Sequence, residues 1–247
     1  MIHAPVTNNF ESWRETARRL VMAGVRPNEV VWSNETQAAL FDEIVAPSVV
    51  LKNLNVPAEF MKLASTVACV DDAEKWPLLY RILYRLAYEN HNLLEIESDA
   101  DVRAARLMEK AIRRDVHKFH AFVRFRRLDC DGKEIFVAWH EPQHFTVERA
   151  APFFQRRFGT MKFSILTPKG CAHWDQKQLT FSPAVEKSMA PAADEMEDFW
   201  LLYYRSIFNP FRLKIRAMKK ELPVRHWPTL PETVLIPELI KKASESN

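Results

Sequence analysis

The string His140-Glu141-Pro142-Gln143-His144 matches H-E-x-x-H letter for letter. In that arrangement two histidines one helical turn apart bind zinc and the glutamate acts as a base. Pro142 sits inside it, and proline breaks the helix that would place both imidazoles on one face. The string also follows a segment of strand character, so no metal site is expected, and Glu141 is left as a strand-end carboxylate for function or ion pairing. A second cluster, Arg113-Arg114-Asp115-Val116-His117-Lys118, falls at an expected helix-to-strand junction. There Asp115 and His117 could orient one another as an acid/base pair, or Asp115 could neutralise its arginine neighbours while His117 packs. In His173-Trp174-Asp175 an aromatic adjoins a carboxylate in an expected loop, able to stack on a base and accept from its edge. The alternative is a buried tryptophan beside a turn-forming aspartate. Serine nucleophiles are set aside because no G-x-S-x-G elbow is present.

Composition removes other chemistries. A chain of 247 residues with only 4 glycines, all far apart, writes neither G-x-G-x-x-G nor the phosphate-binding P-loop. The three cysteines, Cys69, Cys130 and Cys171, form no C-x-x-C pair, which leaves no ligand set for a zinc ribbon or an iron–sulfur cluster. No cofactor is expected. The first residues lack a basic start followed by an apolar stretch, and the longest apolar run is Phe199 to Tyr204, so the expectation is a cytoplasmic protein without a membrane partner.

Charge is unevenly distributed. The net value is +3, yet residues 103–127 carry +7, residues 201–225 carry +6 and residues 149–162 carry +4, leaving −14 for the remainder. If these stretches meet in space they form a basic face, the electrostatic footprint of a polyanion. The competing reading is that acidic segments fold over them as ordinary ion pairs.

These residues need elements to hold them. Helical spacing is expected over Trp13–Ala23 ending at Gly24, from Pro57 to Val70, and from Pro77 through Leu86. In the last of these, Arg81 and Arg85 form a stripe beside Tyr80, Tyr84 and Tyr88. Ser98 is placed to cap a helix to about Val116, with Val102, Ala105, Met108 and Ile112 on a core face and Arg103, Arg106, Lys110 and Arg113 on a basic one. Strand alternation is read over Phe119–Arg126, with Asp131-Gly132 as hairpin turn and Glu134–His140 as partner strand. Short strands follow at 163–167 and 179–181, then an aromatic-rich helix over 194–208. The fold class expected is α+β, mainly helical, with a small antiparallel sheet around a central hairpin. Residues 1–55 read as an N-terminal arm packed on a main domain of residues 56–247.

The runs IRRDVHKFHAFVRFRR (112–127), VAWHEPQHF (137–145), APFFQRRFGTMKFSILTPKGCAHWDQKQLTF (151–181) and FWLLYYRSIFNPFRLKIRAMKKELPVRHWP (199–228) resemble a bacterial family assigned to DNA metabolism or DNA repair without an established activity. Its members occur beside a radical-SAM protein, or fused ahead of a uracil-DNA-glycosylase-like domain that binds uracil-containing DNA. The resemblance falls on Arg113, Arg114, Asp115, His117, Lys118, Arg124, Arg126, Trp139, Glu141, Pro142, Arg157, Phe158, Trp174, Asp175, Asn209 and Arg212. It departs at Phe119, His140, Phe211 and Gln176, the last replacing a usual glycine, which puts the tight turn there in question.

Three functions are therefore expected to compete. The first is a DNA-binding accessory protein of repair or DNA metabolism. Its phosphate contacts would be Arg103, Arg106, Lys110, Arg113, Arg114, Lys118, Arg124, Arg126, Arg156, Arg157, Arg205, Asn209 and Arg212, and Trp139 or Trp174 would stack on an exposed base of single-stranded, damaged or uracil-containing DNA. The second is a nuclease or base-processing enzyme using Asp115, His117, Glu141 and Asp175. The third is an adaptor for a glycosylase-like or radical-SAM partner, docking through the helix over 199–208.

Overall fold

Asn9 opens the first helix, because its side-chain oxygen accepts the Glu11 N–H at 2.8 Å and satisfies a donor that the helix cannot. Helix α1 (Phe10–Met22) follows, and its buried stripe is Trp13, Thr16, Ala17, Leu20 and Val21. The computed structural model describes residues 1–7, 9–33, 53–130, 133–189, 222–237 and 240–241. They form an α+β fold that divides into two compact units, Met1–Arg114 and Asp115–Asn247.

In the first unit, strands β1 (Ile2–Pro5) and β2 (Val30–Ser33) pair in parallel. A parallel pair cannot be joined by a hairpin, and α1 supplies the crossover. Gly24, at φ 73°, lets the chain leave α1 in the left-handed region. Helices α2 (Ala58–Val67) and α3 (Lys75–Tyr88) complete the core, with Pro77 tolerated in the first turn of α3. Trp13, Leu20, Phe60, Leu63, Leu79 and Ile82 lie in one buried cluster, so the residues read as an arm share a core with α2 and α3. The tyrosines on α3 act as anchors. Tyr80 and Tyr88 donate to the carbonyls of Val25 and Val21 at 2.8 and 2.7 Å, and burial pushes the Tyr80 hydroxyl well above the ordinary phenol range.

Helix α4 (Ala100–Phe122) is capped by Asp99 rather than Ser98, since the Asp99 Oδ1 accepts the N–H groups of Asp101 and Val102. It ends six residues later than the reading to Val116 allowed, and the strand read over Phe119–Arg126 is overturned up to Phe125: Phe119–Phe122 belong to the helix, residues 123–125 are irregular, and only Arg126 lies in a strand. Phe119 and Phe122 continue the buried stripe of Val102, Ala105 and Ile112 at helical steps, so the local alternation was subordinate to a longer period.

The second unit is built on a five-stranded sheet in the order β3-β4-β5-β6-β7. Strands β3 (Arg126–Cys130) and β4 (Lys133–Trp139) form a hairpin whose second strand is the one expected, while its first strand begins at Arg126, where the expected one ended. Strands β5 (Phe163–Leu166), β6 (Cys171–Trp174) and β7 (Leu179–Ser182) follow. The sheet is mixed rather than wholly antiparallel. Helix α5 (Val147–Arg157) carries the chain from β4 back to a parallel β5, and the rows Phe136–Phe163–Trp174 and Ala138–Ile165–Ala172 cross the sheet. One face packs Phe163, Ile165, Ala172 and Trp174 with Phe119, Ala150 and Phe154. The helix expected over 194–208 and the turn at Asp131-Gly132 lie outside the described residues. No helix among the described residues is long and apolar enough to cross a membrane.

Gln176, between β6 and β7, has φ 79°, so the turn keeps the left-handed geometry that glycine favours. Gln176→Gly is expected to stabilise the protein by about 0.5–1 kcal/mol, because relief of about 1–2 kcal/mol of backbone strain exceeds the added unfolded-state entropy. Urea denaturation reads this directly, and an unchanged or lowered midpoint would refute it.

Candidate functional site

Asp115 faces inward from the second half of α4 and is 2% exposed. An ion so placed must replace its hydration with hydrogen bonds. Its Oδ1 accepts the Gln143 N–H at 3.0 Å, and its Oδ2 accepts the His144 N–H at 3.2 Å and the Thr146 hydroxyl at 2.9 Å. Residues 140–146 therefore wrap a carboxylate, and Thr146, at the N-cap of α5, gives its hydroxyl to Asp115 instead of to the helix. The H-E-x-x-H string lies in this irregular stretch and not on a helix.

Behind the loop, His140 is fully buried, and neither ring nitrogen has a hydrogen-bond partner among the described residues. It packs on Phe119 at 4.4 Å between centroids and stacks flat on His226, at 5.3 Å and 4°. Burial, followed by the neighbouring His226 and Arg225, pushes the His140 pKa down to about 3. His226 sits in a ring of charge from Arg225, Lys118, Asp115 and Glu141. Burial and the two cations take its pKa down to about 4 against the pull of the two carboxylates. The Arg225 Nε donates to the His226 Nε2 at 3.0 Å, which requires the neutral imidazole. Glu141 stays partly exposed, accepting from the Trp139 indole at 2.9 Å, with the Lys187 ammonium 3.7 Å away.

The four residues of the enzyme reading do not converge. His117 is two positions from Asp115 and exposed where Asp115 is buried, and residues two apart on a helix do not face one another. Asp175 leaves the sheet beside the Trp174–Phe163–Phe136 row, whereas Glu141 leaves it beyond Trp139. Three strand steps separate those rows, about 10 Å at about 3.3 Å per residue. The Asp175 carboxylate is occupied by the amides of Gln178 and Lys177, which hold its pKa below the ordinary range. Among the described residues no group of three or more His, Cys, Asp or Glu is placed to hold a metal ion.

Both tryptophans offered as stacking platforms are walls instead. Trp139 and Trp174 are each 8% exposed, and the Trp174 indole donates to the Gly159 carbonyl at 3.0 Å. His173 lies on β6 rather than in a loop, and its two nitrogens meet Ser164 at 2.8 Å and Ser182 at 2.9 Å, pinning three strands.

The basic residues fall into two groups. Arg106 is held by Glu59 and by Glu109 at 3.4 Å, and Glu109 also lies 3.6 Å from Arg113. Arg124 donates to the carbonyls of Ala121 and Val123 at the end of α4, which makes it a capping group. Lys118 and Arg126 are half-buried. In contrast Arg103, Lys110 and Arg114 in the first unit, and Arg156 and Arg157 in the second, are exposed and make no ion pair among the described residues. Arg205, Asn209 and Arg212 lie outside the described residues.

A family model described as a domain of unknown function, DUF4130, matches residues 73–232, which is most of the chain. The chain belongs to the DUF4130 family. Comparison with curated proteins and with solved structures finds no match. The DUF4130 region takes in α3, α4, the five-stranded sheet and His226, while β1, α1 and β2 precede it. His226 escaped the sequence reading because its partner lies 86 positions away and no spacing rule links them. Thr146 also escaped, although a threonine ahead of a helix is a capping signal.

Two measurements follow from this geometry. Asp115→Ala strands two amides and a hydroxyl and is expected to cost about 3 kcal/mol or more, whereas His117→Ala should change stability by less than about 0.5 kcal/mol. Equal effects in urea denaturation would overturn the structural role of Asp115. Because His140 has a lower pKa folded than its ordinary 6.5, the unfolded chain binds more protons below that value. Stability is then full above pH 6.5 and falls with acidification, by about 2 kcal/mol at pH 5 from this group. His140→Phe should flatten that acid limb, and an unaltered pH profile would exclude it.

Proposed function

We propose that the protein is a DNA-binding accessory protein of DNA repair or DNA metabolism, acting through exposed cations on α4 and at the end of α5. The observation that carries this reading is the stripe of Arg103, Lys110 and Arg114. Steps of seven and four residues put all three on one side of α4, on the order of 16 Å from end to end, with no ion pair among the described residues. Unpaired guanidinium and ammonium groups in a row are what phosphates bind, releasing condensed counterions as they do. Arg156 and Arg157 give the second unit a comparable exposed pair.

The resemblance of residues 112–127, 137–145, 151–181 and 199–228 to a family of DNA-metabolism proteins supports the same reading. It also suggests the setting, beside a uracil-DNA-glycosylase-like protein or a radical-SAM protein, and a substrate strand that is single-stranded, damaged or uracil-containing. Separation of Asp115, His117, Glu141 and Asp175 disfavours joint catalysis by those four. The adaptor reading depends on residues 199–208, outside the described ones.

Fluorescence anisotropy with single-stranded, duplex and uracil-containing oligonucleotides tests the proposal. Affinity is expected to fall steeply with salt, with a log–log slope of about −0.9 per phosphate neutralised on duplex and about −0.7 on single strands. Lys110→Glu/Arg114→Glu and Arg156→Glu/Arg157→Glu should each weaken binding at least about tenfold and flatten that slope. Absence of salt-sensitive association in the wild type would end this interpretation.

A further inference from the structure

The first unit contains a groove of about 610 Å³ that the cationic stripe of α4 leaves unused. Its walls include Arg26, Pro27, Pro77, Arg81, Tyr84 and Arg85. The volume lies within the roughly 300–1,000 Å³ of small-molecule sites. Arg85 is fully engaged: its Nη2 and Nη1 donate to Asp99 at 2.6 and 3.1 Å, its Nη1 also meets Asp101 at 3.3 Å, and its Nε lies 3.5 Å from Glu89. The hydrogen bond from Arg85 holds the Asp99 carboxyl below its ordinary range, so this buttress stays ionised. Arg81 is different. Its Nε and Nη2 share one oxygen of Asp101, at 3.1 and 2.9 Å, which fixes the guanidinium plane and leaves Nη1 without a partner among the described residues. The exposed guanidinium of Arg26 has no ion pair among them either.

Beside these two donors stands an aromatic wall. Tyr84 is backed by Tyr88, with ring centroids 4.7 Å apart, and the two prolines add rigid apolar surface. Planar rings stack on such walls in a sequence-tolerant way, and guanidinium groups hold phosphate oxygens with directional hydrogen bonds. We propose that this groove binds a nucleoside 5′-phosphate, free or as the phosphorylated end of a DNA strand, with the base against Tyr84 and the phosphate between Arg26 and Arg81. Glu89, drawn toward Arg85, is placed to accept from a sugar hydroxyl or a base amino group. The proposal rests on the nucleic-acid reading only for the strand end as the source of the nucleotide.

The test uses the full chain, its Arg26→Ala and Tyr84→Leu variants, and Lys110→Glu/Arg114→Glu as a control outside the groove. Three fluorescent probes are titrated: a single-stranded oligonucleotide with a 5′-phosphate, the same strand with a 5′-hydroxyl, and a labelled deoxynucleoside monophosphate. Expected are at least fivefold tighter binding of the phosphorylated strand, loss of that preference in Arg26→Ala, and at least fivefold weaker binding in Tyr84→Leu. The control should weaken both strands and keep the preference. Arg26 is exposed, so its variant reports on the groove even if Tyr84→Leu folds poorly. Oligonucleotide binding indifferent to the 5′ group and to both groove variants would overturn this inference and leave the DNA reading intact. Groove-dependent binding of the mononucleotide alone would uphold the inference and remove the DNA reading, and no binding of any probe would remove both.

Discussion

A carboxylate that water barely reaches must be solvated by the protein, and Asp115 meets that requirement with two backbone amides and one hydroxyl from residues 143–146. The three donors belong to one loop, so satisfying the ion also fixes where β4 ends and where α5 begins. From there the crossover to β5 follows, and with it the parallel register Phe136–Phe163 through Trp139–Leu166. The motif that looks most like chemistry in the sequence is therefore scaffolding. Its first histidine is buried neutral, its glutamate accepts from an indole, and the backbone amides of its last two residues hold an aspartate.

Much of the fold is legible in the sequence because long periods are visible there. The apolar steps of α1 and α3 and the second strand of the hairpin, β4, are each carried by local pattern. Where reading failed, two periods competed over the same residues. Phe119 to Phe125 alternates like a strand, yet Phe119 and Phe122 extend the stripe of α4, and burial on that stripe decides the outcome. Strand β6 was hidden because Cys171, Ala172 and Trp174 are all buried and do not alternate. The candidate site was legible as residue types and illegible as geometry. Asp115 and His117 are neighbours in sequence and point apart on a helix, whereas His140 and His226 are distant in sequence and stack.

Charge divides in the same way. Runs of arginine look uniform in a sequence, but acidic neighbours select among them. Glu59 and Glu109 take Arg106, Asp99 and Asp101 take Arg85, and the carbonyls at the end of α4 take Arg124. Of the phosphate contacts expected from sequence, Arg103, Lys110, Arg114, Arg156 and Arg157 are exposed and make no ion pair among the described residues, a shorter set than the composition suggests. Ion pairing thus acts as a filter that separates cations holding the fold from cations left to solvent.

The parallel pairing of β4 with β5 has a consequence for synthesis on the ribosome. The hairpin of β3 and β4 closes on itself early, but the other side of β4 has no mate until residues 163–166 have been made. During that interval Phe136 and Val137 sit on an open hydrogen-bonding edge, a template for pairing with a second nascent chain. Helix α5 lies within the stretch that must be made first, so the length of chain between β4 and β5, not the speed of helix formation, sets the time for which that edge is bare.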